Sequence, residues 1–358
     1  MSTRPKTRPE TWVPAGAETT GAHRAREAEP QAGVRTPHIP LPPPQVISRA
    51  SRVGRVRASA TNVLWAALAA GVPWLWFLVR DLGPVSQVVA LALPALVAAA
   101  FVGLAISALD ERKLSSIIVA CSVAVFAWVT ILGPRSASPA SPPVDPTRLA
   151  SITLDGSDPN VDATLGSLAR QRADLAVVVE PTKKARIALL KADRHPYTLT
   201  SGRFVVMSSI PIHELSLPDG LPPALVIRFR VDRPAGGFIV YAVRSGASPL
   251  DAALNDPIGV EALRDAASKE RLPVVLAGDL GIGDRSTQYR ALTEAFRDAM
   301  RAGDRAASTS AVFPWSFLLL RTGFVLTSPD WCSGATSTFD VPDAQIVGLG
   351  AAVGPCRR

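Results

Sequence analysis

The sequence predicts a membrane-anchored α/β protein: three transmembrane helices followed by one mixed α/β domain. Three observations predict it. Residues 63–79, 88–109 and 114–132 are apolar runs without an internal charge, each at or near the roughly 20 residues a helix needs to cross a bilayer. No polar stripe runs along them, as it would on helices of a soluble bundle. Basic residues are distributed unevenly about these runs. From about Leu149 onward, short β-branched segments alternate with amphipathic ones.

The charge distribution sets the expected orientation. Residues 1–60 hold ten Lys and Arg against four Glu, and residues 61–133 balance to zero, so most of the net +8 belongs to the N-terminal tail. Arg49, Arg52, Arg55 and Arg57 precede the first run and Arg112 and Lys113 lie in the second loop, whereas the first loop holds only Arg80 beside Asp81. Lys and Arg near membrane ends stay cytoplasmic. The N-terminus is therefore expected inside and residues 134–358 outside, in a multi-pass protein of the cell membrane. The first run starts too far from Met1 for a cleaved signal peptide. The remaining domain carries no basic footprint of the kind phosphate-backbone binding requires, so no nucleic-acid partner is expected.

In chain order, residues 1–60 are rich in Pro, Arg, Ala, Glu and Thr and poor in large apolar residues, a composition that predicts disorder. Residues 37–44 favour polyproline II, either as a docking segment or as a plain spacer. The Arg49 to Arg57 cluster either touches anionic headgroups or acts only as a topology signal. A Pro/Ser-rich linker covers residues 134–148 and leads to a domain at residues 149–358. Within it the pattern predicts strands at 175–179, 204–208, 224–231, 238–244, 273–277, 324–327 and 346–353. Helices are expected at 161–172, 183–192, 257–269 and 287–302. Successive strands without intervening helices indicate a mixed sheet rather than a purely parallel one.

Three segments carry a resemblance. Ala173-Asp174-Leu175-Ala176-Val177-Val178-Val179-Glu180 is a buried strand ending in a carboxylate. Val205-Val206-Met207-Ser208-Ser209-Ile210-Pro211-Ile212 is a strand and turn, and Pro273-Val274-Val275-Leu276-Ala277-Gly278-Asp279-Leu280 a strand ending in Gly-Asp. In order and spacing they resemble the endonuclease/exonuclease/phosphatase superfamily, specifically its bacterial members with three N-terminal spans before an extracytoplasmic domain. The Ala-, Arg- and Pro-heavy composition also looks bacterial. The resemblance implies a two-sheet α/β sandwich and a metal-dependent phosphoric ester hydrolase. In such an enzyme a Glu holds Mg²⁺, His with Asp activates water, and the metal stabilises developing phosphoryl charge.

Measured against that pattern, the chain keeps Glu180 and Asp279, and near the first-strand Asn position only Asp155 could serve as a ligand. Elsewhere the pattern is lost. Gly281 stands where an Asn is expected after Gly-Asp, and Arg244 where the central His belongs. Thr322-Gly323-Phe324 replaces a late Ile-Asp-His, and Ala344-Gln345-Ile346 the terminal Ser-Asp-His. His195 and His213 are the only imidazoles beyond the tail, and both precede the strands that would need them. The family's proton acceptor is missing. No catalytic residue is therefore assigned, and a degenerate pseudoenzyme domain is expected, acting in binding or scaffolding at the cell envelope with an envelope protein or glycolipid as partner. The alternative is a divergent Mg²⁺-dependent phosphodiesterase or phosphatase. Glu180 and Asp279 either meet and hold Mg²⁺ weakly or act locally, Glu180 at the next helix's N-terminus and Asp279 in an Asx-type turn. Cys332 and Cys356 flank the last strands, and an oxidising exterior predicts their disulfide. Cys121, inside the third run, is read as a packing residue.

Overall fold

Strands β2 (Leu175–Val179), β4 (Phe204–Ser208) and β7 (Phe238–Arg244) are buried at every residue, the expected fate of apolar strands covered on both faces. In the computed structural model the described residues are 142–357, except 155–160, 193–194, 235, 247, 285, 303–320 and 342–345, together with Ala120 and Ala124. Apart from those two alanines, the expected tail and spans lie outside them, as does the linker as far as residue 141. Among the described residues no helix is long and apolar enough to cross a membrane.

The remaining strands are β1 (Thr147–Thr153), β3 (Tyr197–Ser201), β5 (Ile212–Leu215), β6 (Val226–Val231), β8 (Val274–Asp279), β9 (Arg297–Asp298), β10 (Gly323–Thr327), β11 (Trp331–Val341) and β12 (Ile346–Pro355). They form two six-stranded sheets, ordered β11-β12-β1-β2-β4-β3 and β5-β6-β7-β8-β10-β9. Each sheet has one parallel pair at its centre, β1 with β2 and β7 with β8, and antiparallel partners on both sides. Read from β3, the first sheet repeats the pairing pattern of the second. Its architecture is a two-sheet α/β sandwich.

Apolar side chains of both sheets fill the space between them, with Val177, Val179, Val206 and Leu349 meeting Phe229, Val240, Ala242 and Val275 in one cluster. Helices α1 (Val161–Gln171) and α2 (Lys183–Lys191) cover the outer face of the first sheet through Leu165, Leu168 and Leu189. Helices α4 (Val260–Ser268) and α5 (Thr287–Ala295) cover the second through Val260, Leu263 and Leu292. Their apolar residues recur at helical spacing, as a single buried stripe requires. The short α3 (Pro249–Asn255) starts at Ser248, whose side chain accepts from the Asp251 N–H, with Pro249 in the first turn, both favoured helix-start chemistry.

The structure corrects the helix expected over 287–302. It ends at Ala295, because Phe296 is extended (φ −129°, ψ 152°). Asp298 in β9 then caps a separate turn, α6 (Ala299–Ala302), accepting from the Met300 N–H at 2.9 Å. Strands β1, β3, β5, β9 and β11 and helix α3 add to the elements expected from periodicity.

Cys332 and Cys356 form a disulfide, with Cα atoms 4.8 Å apart and a sequence separation of 24. It joins the start of β11 to the residue that follows β12. Closing a loop of that length constrains the unfolded chain by about 3 kcal/mol. Reduction is expected to lower the unfolding midpoint in denaturant accordingly, and a non-reducing mass measurement should find neither thiol open to alkylation.

Candidate functional site

Glu180 follows the last residue of β2, Arg244 ends β7 and Asp279 ends β8, so the three gather at the carboxyl ends of the central parallel strands. Open α/β sheets place their ligands at that end of the strands. Glu180 adopts a left-handed backbone (φ 53°), a conformation that costs a non-glycine residue roughly 1 kcal/mol or more. Its N–H donates to the Arg203 carbonyl at 2.7 Å, which helps hold it there.

A single guanidinium joins the two carboxylates. Arg244 Nε donates to Glu180 Oε2 at 3.0 Å, and Arg244 Nη1 donates to Asp279 Oδ2. Arg203 Nη1 donates to Glu180 Oε1 at 2.5 Å from the turn between β3 and β4. The Arg244 side chain is 8% exposed and those of Glu180 and Asp279 are each 15% exposed, whereas that of Arg203 is 49% exposed. The other Asp279 oxygen, Oδ1, accepts from the Gly281 N–H at 2.9 Å. This is the Asx-type turn anticipated for Gly-Asp. Burial pushes the Glu180 carboxyl up, but the charge and hydrogen bonds of Arg244, with help from Arg203, outweigh it and hold the group below its ordinary value.

The arrangement does not fit Mg²⁺. A hard divalent cation needs carboxylate oxygens at about 2.0–2.1 Å in near-octahedral geometry, and here Arg244 N–H groups engage the facing oxygens of both carboxylates. A guanidinium does not deprotonate in a protein, so a metal placed beside it would meet a fixed positive charge. Among the described residues, no group of three or more His, Cys, Asp and Glu is arranged to hold a metal.

Local geometry accounts for the glycines at this end of the sheets. Gly278 has φ 135°, and a Cβ there would stand 2.1 Å from the Val243 carbonyl oxygen, so only glycine lets β7 and β8 approach this closely. Gly281 has φ 69°, and a Cβ would stand 2.2 Å from Ser245 Oγ. The expected Asn is thus absent, and its space is filled. Gly323 pairs with Asp279 in the sheet register and offers no side chain there. Ile346 opens β12 opposite Val341. Asp155 and Gln345 lie outside the described residues.

Neither domain histidine reaches this end of the sheets. His195 precedes Tyr197, which pairs with Ser208, itself the partner of Leu175 at the start of β2. His213 pairs with Arg230, the partner of Ile239 near the start of β7, and its Nε2 lies 3.2 Å from Asp232 Oδ2. Arg203 and Ser245 are the site neighbours that sequence reasoning missed. Nothing in the Ser201-Gly202-Arg203-Phe204 stretch indicates an ion pair with Glu180, which arises only from the tertiary pairing of β4 with β2.

A second ionic cluster is structural. Arg321 is 1% exposed, and its Nη1 donates to Asp298 Oδ1 at 3.1 Å while Nη2 donates to Tyr289 Oη at 3.2 Å. The guanidinium lies 4.7 Å above the Phe324 ring centroid. Burial pushes the Asp298 carboxyl up, but Arg321 and Tyr289 outweigh it and keep the group ionised.

No family model and no curated protein matches this chain. Among solved structures, it is similar to an endonuclease/exonuclease/phosphatase from Beutenbergia cavernae (18% identity, 59% of this chain and 72% of that one, TM-score 0.47). It is also similar to one from Bacteroides vulgatus (15% identity, 59% and 100%, TM-score 0.44) and to a mannosyl-6-phosphatase from Bacteroides thetaiotaomicron (12% identity, 58% and 99%, TM-score 0.40). These are distant likenesses of fold. What this site can do is decided by this chain's own residues.

Proposed function

We propose that residues 149–358 are a degenerate endonuclease/exonuclease/phosphatase-type domain that acts in recognition, with an internal ion pair where the family holds its metal. Three N-terminal spans present it outside the cytoplasm, and its partner is an envelope protein or glycolipid rather than nucleic acid. The observation that carries this reading is Arg244, which bridges Glu180 and Asp279. Family-type hydrolysis needs a Lewis-acidic cation on those carboxylates and an imidazole near attacking water. Arg244 takes the first place, and both His195 and His213 lie toward the other end of the strands.

The competing reading is a divergent Mg²⁺-dependent phosphodiesterase or phosphatase. It is favoured by the convergence of Glu180 and Asp279 from different sheets, and it requires Arg244 to swing out. Hydrolysis of bis-p-nitrophenyl phosphate and p-nitrophenyl phosphate with Mg²⁺ or Mn²⁺ separates the two. The expected result is no turnover above that of Glu180→Ala; metal-dependent turnover that disappears in this variant would establish the enzyme. For the topology, a reporter fused after Pro146 should be active only outside the cytoplasm, and cytoplasmic activity would reverse the assignment.

A further inference from the structure

We propose that the exposed face of α2 docks the domain onto an anionic phospholipid surface. The proposal rests on the three-span reading for the nearness of that surface. The helix reads Lys183-Lys184-Ala185-Arg186-Ile187-Ala188-Leu189-Leu190-Lys191 and contains no acidic residue. Ala185 and Leu189 are buried toward the sheet. The opposite face holds Lys183, Ile187 and Lys191 at successive i, i+4 positions, with Lys184 and Leu190 beside them. Ile187 is 45% and Leu190 37% exposed, and a shallow groove runs along Lys183, Lys184, Ile187 and Lys191. Arg186 is committed elsewhere, donating through Nη2 to the Gly202 carbonyl at 2.7 Å.

Charge complementarity and chain length select the occupant. A basic helix face with exposed aliphatic residues is the pattern of helices that lie in a membrane interface, with lysines meeting lipid phosphates and apolar side chains entering the acyl boundary. The expected third span ends at residue 132 and the described domain begins at Pro142. An extended chain of that length reaches about 35 Å at most, so the domain stays within its own diameter of the bilayer. Thr182 caps α2 just after Glu180 and Pro181, so docking through this face would also bring the strand end that carries Glu180 toward the headgroups.

The test uses the full chain in nanodiscs of phosphatidylcholine with or without phosphatidylglycerol, followed by hydrogen exchange of residues 183–191. Slower exchange in the anionic discs, relieved by salt and absent in the Lys183→Glu/Lys184→Glu/Lys191→Glu variant, is expected. Equal exchange in both discs would overturn the proposal, and so would equal slowing in both, which would point to a protein or purely apolar occupant. Alkaline carbonate extraction reports the spans separately. If the chain is extracted, flotation with the same lipids as vesicles still tests α2. The triple variant should then bind phosphatidylglycerol vesicles about 100-fold more weakly, at about fivefold per lysine. Unchanged flotation would overturn the docking surface. An Ile187→Ser/Leu190→Ser variant with the lysines intact should also bind more weakly; unchanged binding would contradict the apolar part.

Discussion

Replacing Arg244 by alanine is expected to destabilise the domain by about 3–5 kcal/mol, because it leaves two mostly buried carboxylates without their shared cation. Denaturant unfolding at neutral pH measures it. The pH dependence gives a second signature. Burial raises the Glu180 pKa, but Arg244 and Arg203 outweigh it, so the folded value lies below the ordinary 4.5. A depressed acid stabilises the fold fully above its unfolded pKa, and that contribution is lost as pH falls through the folded value. The wild-type protein should therefore lose stability below about pH 4.5. In Arg244→Ala, burial and the like charge of Asp279 favour protonation, so mild acid should relieve part of the defect. Mg²⁺ should also stabilise this variant, since a ligand that binds only the folded state adds RT ln(1 + [L]/Kd). Arg244→Lys keeps a charge but loses the fork that reaches both carboxylates, and an intermediate loss is expected.

Arg321→Met is the other large effect. Arg321 is 1% exposed and the Asp298 side chain 3% exposed, so the variant leaves an uncompensated buried carboxylate. A loss of about 3–5 kcal/mol is expected, which for a domain of this size lowers Tm by roughly 10 °C or more. The double variant Asp298→Asn/Arg321→Met should recover part of the loss, since the isolated charge is then gone, and the non-additivity measures the coupling. Full additivity would show that the pair contributes little beyond its separate parts.

Which strands were legible follows from where they sit. The interior strands β2, β4, β6, β7, β8, β10 and β12 carry apolar runs or clean alternation because neighbours cover them. Of the five strands that periodicity passes over, β3, β5, β9 and β11 are the four sheet edges, whereas β1 is interior and its apolar run is interrupted by Arg148 and Ser151. Polar, short or Gly- and Ser-bearing edges resist further pairing and thereby lose the apolar signal of a strand. Thr-Leu-Thr-Ser in β3, Ile-His-Glu-Leu in β5 and Ser-Gly-Ala-Thr-Ser-Thr in β11 are of this kind. The two residues of β9 were absorbed into a longer helical pattern. Only tertiary pairing with β10, and the burial of Asp298 against Arg321, separates them from it.

The site was half legible. The motif order located Glu180 and Asp279 and marked Arg244 and Gly281 as departures. It gave no means of seeing that Arg244 bonds to both carboxylates or that Ser245 occupies the space an Asn side chain at 281 would need. Those facts depend on the parallel pairing of β7 with β8, which sets Arg244 against Asp279 in register. They depend also on the packing of the two sheets, which brings in Glu180.

The central claim is that Arg244 has taken the place of a metal ion between Glu180 and Asp279. Calorimetric titration of Mg²⁺ into the wild-type chain and into Arg244→Ala tests it most directly. The expected result is no site-binding heat in the wild type and saturable binding in Arg244→Ala that disappears when Glu180 is also replaced. Saturable Mg²⁺ binding by the wild type, lost in Glu180→Ala or Asp279→Ala, would contradict it.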